Sequence, residues 1–231
     1  MQKTTTMTLA LSAVAAVAVA LGPATSRAQS RAPSAAHVAA QVQAFYDQTR
    51  TVRTAFYQAH YDRIYQRTTR SRGVLTIARP GKLRFDYLGG DGKVVVSDGS
   101  TFTLYEPGDD GGPGQYARSA VRREGVPSAL GFLTGQSRLD RDFTFRLRDA
   151  QRFRWDGHVL ELRPRRERAA YRRVFLFVDD DPAAAGVVRR VLIQDHDGNL
   201  NRFDFRRMRF NRPVAASRFD FAPPRGARPM R

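Results

Sequence analysis

Arg79-Pro80-Gly81-Lys82-Leu83-Arg84-Phe85-Asp86-Tyr87, followed by Val94-Val95-Val96-Ser97-Asp98-Gly99-Ser100 and Phe102-Thr103-Leu104-Tyr105, decides the fold of this chain. Leu83, Phe85 and Tyr87 alternate with Lys82, Arg84 and Asp86, the period of a strand with one apolar, aromatic face and one charged face. Pro80-Gly81 and Asp98-Gly99-Ser100 are turn sequences. Three strands and two turns are therefore written into this stretch, and the sheet they start has one oily side.

Working outward, β-like segments are predicted at Thr54 to Tyr65, Gly73 to Ala78, Leu83 to Tyr87, Lys93 to Ser97, Thr101 to Tyr105 and Gln115 to Arg118. After an interruption they resume at Phe143 to Leu147, His158 to Arg163, Arg173 to Asp179, Val187 to Gln194 and Asn199 to Phe210, with a short last one at Arg218 to Phe221. Short Gly-, Pro- and Asp-rich connections are what antiparallel hairpins require. Two segments are helical instead. His37 to Thr49 carries Val38, Val42, Phe45 and Tyr46 at helical spacing, and Pro127 to Thr134 is a short apolar helix stopped by Gly135. About eleven strands in one antiparallel sheet must curl or close, so a barrel or half-barrel is expected rather than a flat sheet.

The chain of 231 residues opens with Lys3, an apolar run from Met7 to Leu21, Gly22-Pro23 and Ser26-Arg27-Ala28. This reads as a secretory signal peptide over residues 1–28, cleaved after Ala28. The run of about 15 residues is short of the ~20 that a membrane-spanning helix needs. Residues 29–231 are then one domain in an exported compartment. No cysteine is present, so neither a disulfide nor acylation at an amino-terminal Cys is available. The formal net charge is +17, two units of which, Lys3 and Arg27, leave with the signal peptide. Only Lys3, Lys82 and Lys93 among 39 basic residues are lysine. Such an arginine bias fits bidentate contacts to anions or merely GC-rich codons.

Catalytic signatures are missing: there is no Gly-x-Ser-x-Gly, phosphate-binding loop, His-Glu-x-x-His or cysteine nucleophile. His37, His60, His158 and His196 are scattered without metal-ligand spacing, and no metal or cofactor is expected. Asp195-His196-Asp197-Gly198-Asn199 begins like a calcium loop, but Arg206 stands where the closing Glu belongs, so it reads as a hairpin turn. Arginines cluster at Arg165, Arg166, Arg172 and Arg173 and again at Arg202 to Arg209. With an export signal in front, they point to a solvated basic face, an anionic membrane surface or an acidic partner, and not to nucleic acid. Arg79 ends the apolar strand Val74 to Ala78 just before Pro80, where its side chain can project from the rim of a sheet or stand as an ordinary exposed strand-end arginine.

The order of several modest motifs resembles the LolA family of periplasmic outer-membrane lipoprotein carriers. They are Ala55-Phe56-Tyr57-Gln58, Gly73-Val74-Leu75, Arg79-Pro80, Val96-Ser97-Asp98-Gly99, Asp197-Gly198-Asn199, Phe205, Asn211, and Phe219-Asp220-Phe221-Ala222-Pro223-Pro224-Arg225-Gly226. The resemblance implies a mainly β, incomplete (half-open) antiparallel barrel with a helical lid, and a carrier with no enzymatic activity. Its acyl-chain cavity is expected to be lined by Leu75, Ile77, Leu83, Phe85, Tyr87, Val94, Val96, Phe102 and Leu104, and its lid to present Val42, Phe45, Leu130, Phe132 and Leu133. Arg79 is then a latch between rim and lid. Arg165, Arg166, Arg172 and Arg173 form a docking surface. The implied partners are acylated lipoproteins, an inner-membrane lipoprotein-releasing ABC transporter, and an outer-membrane acceptor lipoprotein or anionic membrane surface, served by a monomer. A lipid-binding or lipid-transfer protein on the same scaffold is the alternative. Departures from the family pattern are the strongly basic charge, the arginine-rich stretch near Arg163 to Arg173 and the glycine-rich loop Gly108 to Gly114.

Overall fold

The computed structural model describes residues 33–230 except Asp91, Asp110, residues 122–129 and Ala169. The expected signal peptide, its cleavage site and residues 127–129 of the expected mid-chain helix lie outside the described residues. Ser34 caps helix α1 (Ala35–Gln48), its Oγ accepting the His37 N–H at 3.1 Å. Then come β1 (Thr51–Asp62), β2 (Arg67–Ala78), β3 (Lys82–Leu88), β4 (Val94–Asp98), β5 (Thr101–Glu106) and β6 (Gln115–Ala120). Two short helices follow, α2 (Gly131–Thr134) and α3 (Leu139–Asp142). The second half holds β7 (Phe143–Arg148), β8 (His158–Pro164), β9 (Arg173–Val178), β10 (Val188–Gln194), β11 (Leu200–Phe210) and the two-residue β12 (Arg228–Pro229).

All twelve strands form one sheet in the order β12-β6-β5-β4-β3-β2-β1-β11-β10-β9-β8-β7. Every neighbouring pair is antiparallel except β12 with β6. The first six strands meander away from β1, the next five meander back, and β11 joins β1 from Val52–Phe210 to Tyr61–Leu200. The sheet remains open, an incomplete barrel. Hairpin chemistry is as the residues suggest: the Asp62 carboxylate accepts the N–H groups of Ile64 and Tyr65, and that of Asp195 accepts the Asn199 N–H at 2.8 Å.

Arg218 to Phe221 is not a strand. The chain leaves β11 at Asn211 and crosses the outer face, where residues 216–219 form a 3-10 turn and Phe219 is buried. Arg84 donates to the Arg218 carbonyl at 3.1 Å, Arg218 pairs with Asp86, and the Phe221 ring lies 5.7 Å from Tyr105. The alternation of Phe219 and Phe221 is satisfied by this packing instead of by a ladder. A second outer patch is formed by Phe175, Phe177 and Val159 under Phe153 and Trp155.

Candidate functional site: a helix-covered apolar face

Register assigns each side chain to one face, because directly opposed residues share a side of the sheet. One line runs Phe205–Phe56–Gly73–Tyr87, and another Thr54–Leu75–Phe85–Val95–Leu104. A third runs Val52–Ile77–Leu83–Ser97–Phe102. Across the seam, Phe203, Val191, Leu176 and Leu160 continue the same inner face. Its centre is aromatic: Phe56 lies edge-on to Phe85 and Tyr87 at 5.2 and 5.0 Å, and Phe85 is 5.8 Å from Phe203. Gly73 makes this possible, since a Cβ there would sit 2.6 Å from the Phe56 ring and 2.1 Å from the Asp86 carbonyl oxygen. Beside the aromatic centre are polar groups, the Tyr87 hydroxyl donating to Gln58 Oε1 at 2.7 Å and Gln58 Nε2 donating to Asn201 Oδ1 at 2.8 Å.

Seven of the nine expected lining residues share this face: Leu75, Ile77, Leu83, Phe85, Tyr87, Phe102 and Leu104. Val94 and Val96 do not. They oppose Asp86 and Arg84 on the outer side, and Val95 takes the inward place. Three consecutive valines leave the parity of a strand undetermined, and it is the pairing with β3 that fixes it. Val96 is buried nonetheless, on the side that the carboxyl-terminal segment crosses.

Helices cover the inner face. Val38, Val42 and Tyr46 of α1 are buried in the core, as are Leu130, Phe132 and Leu133. Phe45 packs edge-on to Phe210 at 5.0 Å, and Tyr46 meets Phe132 at 5.5 Å. Burial pushes the Tyr46 phenol well above its ordinary 10.0, and its oxygen accepts the Val188 N–H at 3.4 Å. Gln43 joins α1 to α3, its Oε1 accepting the Leu139 N–H at 2.9 Å. Between Tyr46 and Leu133 above and Val52, Leu75, Ile77 and Phe205 below, the remaining void is about 10 Å³. At this point helix and sheet are in contact.

Arg79 stands where the rim meets both helices. Its Nη1 donates to the Tyr46 carbonyl in the last turn of α1, and its Nη2 lies 3.3 Å from the Asp47 carboxylate. Beneath it is Gly135, which ends α2 with a φ of 76°. A Cβ on Gly135 would sit 2.7 Å from Arg79 Nη2, and the Gly81 N–H donates to the Thr134 carbonyl at 2.9 Å. The guanidinium thus occupies the corner between the carboxyl ends of α1 and α2, where helix carbonyls lack partners.

Arg165, Arg166 and Arg172 are exposed on the β8–β9 connection. Arg173 differs, being engaged by Gln194 and by Glu161 at 3.6 Å. Burial alone would push the Glu161 carboxyl up, but Arg163 at 2.8 Å, Arg148 at 3.5 Å and Arg173 outweigh it and hold it below its ordinary 4.5. No group of three or more His, Asp or Glu among the described residues is arranged to hold a metal ion, and no described helix is long and apolar enough to cross a membrane.

Phe56, Phe203, Phe205, Leu160 and Leu176 complete the face, although none was among the expected lining residues. Phe203 and Phe205 alternate visibly, whereas β8 and β9 are buried on both sides and read as continuous apolar runs.

An open, almost wholly antiparallel barrel whose apolar interior is covered by amino-terminal and mid-chain helices defines a class of helix-lidded half-barrel proteins. Residues 47–222 match the family model described as outer membrane lipoprotein carrier protein LolA, and the chain belongs to that family. An outer-membrane lipoprotein carrier protein of Dechloromonas aromatica is 28% identical over 193 residues, covering 81% of this chain and 84% of that protein. Its counterpart from Chromobacterium violaceum is 27% identical over 186 residues, covering 80% and 84%. Among solved structures, a LolA-superfamily protein from Nitrosomonas europaea matches with a TM-score of 0.48 at 11% identity, over 82% of this chain and 99% of that one.

Proposed function

We propose that this protein is a periplasmic carrier that shelters the acyl chains of lipoproteins against its inner face and takes them from the inner to the outer membrane. An acyl chain of about 16 carbons costs roughly 12 kcal/mol to expose to water, at ~0.8 kcal/mol per CH₂. A multiply acylated protein therefore needs a portable apolar shelter to cross an aqueous compartment. The observation that carries the reading is that the aromatic inner face is closed by helices held at one corner, and not by a second sheet. The void of about 10 Å³ beside Tyr46 and Leu133 admits no acyl chain, so loading at this place lifts α1 and α2 from the sheet.

Lid and cargo then compete for one face. Loading exposes the lid and unloading reburies it, which keeps the affinity for cargo close to that of the donor and acceptor environments without nucleotide energy. Arg79 is the latch that favours the closed arrangement. The donor is an inner-membrane lipoprotein-releasing ABC transporter, and the recipient an outer-membrane acceptor lipoprotein or anionic membrane surface, approached through Arg165, Arg166 and Arg172. Native mass spectrometry of the protein purified from its own periplasm tests the proposal. An intact lipoprotein bound one to one is expected. Free lipid alone would replace the reading with lipid transfer, and the absence of any hydrophobic ligand would remove both.

A further inference from the structure

On the outer side of the sheet a groove of about 830 Å³ runs between β1, β2 and β11 and residues 212–218 of the crossing carboxyl-terminal segment, reaching Phe210, which packs on Phe45 of α1. That volume is typical of small-molecule sites. Four arginines line it, Arg53, Arg209, Arg212 and Arg218, and among the described residues no Asp or Glu does. Arg53 and Arg209 face each other directly across the β1–β11 ladder, an arrangement of like charges that costs stability when nothing lies between them.

On this surface the carboxylates gather other arginines, Arg218 of the groove among them. Arg84 and Arg218 share Asp86, Arg190 and Arg202 share Asp204, and Arg148, Arg163 and Arg173 surround Glu161. Among the described residues Arg53, Arg209 and Arg212 have no such partner. A second orphan lines the same groove: the Thr76 hydroxyl, opposite Arg53 on β2, is buried without a hydrogen-bond partner among the described residues. Pro213 and Val214 add apolar surface beside the charges.

We infer that this groove is a binding site for a phosphate group, carried by a lipid or free in solution. Guanidiniums opposed across a ladder match the spread oxygens of a phosphate, whose charge cancels the repulsion that the protein otherwise bears. Met208 lines both this groove and the void beneath Tyr46 and Leu133, but Arg53 and Arg209 stand on the outer side, so the proposal neither requires nor replaces the acyl-chain reading.

The test is calorimetric titration at low salt with monomeric dihexanoyl phosphatidic acid, inorganic phosphate and dihexanoyl phosphatidylcholine. Wild type and two double variants, Arg53→Gln with Arg209→Gln and Phe85→Asp with Phe102→Asp, are compared. Phosphatidic acid is expected to bind wild type more tightly than phosphatidylcholine and to lose about tenfold or more in affinity when the two arginines are replaced. The Phe85, Phe102 variant should bind it unchanged. If inorganic phosphate binds as tightly as phosphatidic acid, free phosphate is the ligand; if it binds much more weakly, a lipid headgroup is. Either result upholds the site. No binding of either anion, or a loss that follows the phenylalanines and not the arginines, overturns it. Because Arg53 and Arg209 are exposed and have no described partner, their replacement leaves the fold intact, which the thermal midpoint of the free variant verifies.

Discussion

Replacing Arg79 by leucine removes one charge-assisted hydrogen bond to the Tyr46 carbonyl and one ion pair to Asp47 while leaving the inner face untouched. The first contact is well sheltered, the Arg79 side chain being 16% exposed, and is worth about 1.5–3 kcal/mol. The second involves a carboxylate that is 42% exposed and adds no more than ~0.5 kcal/mol after solvent screening. A loss of about 1.5–3 kcal/mol moves the ratio of closed to open forms by roughly 10- to 150-fold. On the proposed competition of cargo and lid for one face, the variant should bind a fluorescent acyl probe more tightly than wild type by up to that factor. In a transfer assay it should accept lipoprotein from donor membranes normally and pass it on poorly. Tighter binding on deletion of a contact is an unusual result, and that makes it informative. Unchanged probe affinity together with normal onward transfer would refute the latch and leave Arg79 as a structural strand-end arginine.

Three other outcomes are expected. Phe85→Asp with Phe102→Asp, in protein that remains folded by circular dichroism, should abolish acyl-probe binding, because each carboxylate would stand on the inner face; retained binding would place the acyl site elsewhere. Neutralising Arg165, Arg166 and Arg172 together should weaken co-sedimentation with anionic vesicles and reduce its salt sensitivity without altering probe affinity; sedimentation unaffected by either change would dismiss the docking surface. Glu161→Gln should cost about 1–3 kcal/mol near pH 7 by leaving three guanidiniums without their shared carboxylate. Glu161 is held below its ordinary 4.5, so its contribution is full above that value and is lost as pH falls through the lower folded value. The difference in urea midpoint between wild type and variant should therefore close in acid, and a gap of constant size from pH 7 to pH 3 would contradict the assignment.

Period-two alternation made β3 legible to the residue, because Leu83, Phe85 and Tyr87 are separated by charges that have to face water. It could not do so for β4, where Val94, Val95 and Val96 offer no contrast and the inward residue is chosen by the neighbouring strand. The same blindness hid Leu160 and Leu176, whose strands are apolar on both sides because Phe153 and Trp155 cover the far face. Leu139, which docks α3 beneath α1, had only a four-residue helix around it, too short for a helical period to register. The carboxyl-terminal Phe219 and Phe221 were misread for a related reason: their spacing is that of a strand, but what they satisfy is the outer surface of strands more than a hundred residues earlier in the chain. Pro80 left Arg79 readable either as a rim residue or as an ordinary exposed strand-end arginine, and its contact with Tyr46 depends on where α1 ends in space, which no local pattern encodes.

The seam between β1 and β11 also sets the order in which this molecule can be made. Thr54 donates its hydroxyl proton to the carbonyl of Arg206, 152 residues further on, so the ladder in the middle of the sheet can form only after nearly the whole chain has been delivered. Until then β1 presents an unpaired edge and the first six strands show an apolar face. Loop-closure entropy makes such pairing slow, and edges of this kind template aggregation. A newly made chain is consequently sticky by the same apolar face that the helices later cover, and its recovery rests on speed of closure or on a holding factor as much as on final stability.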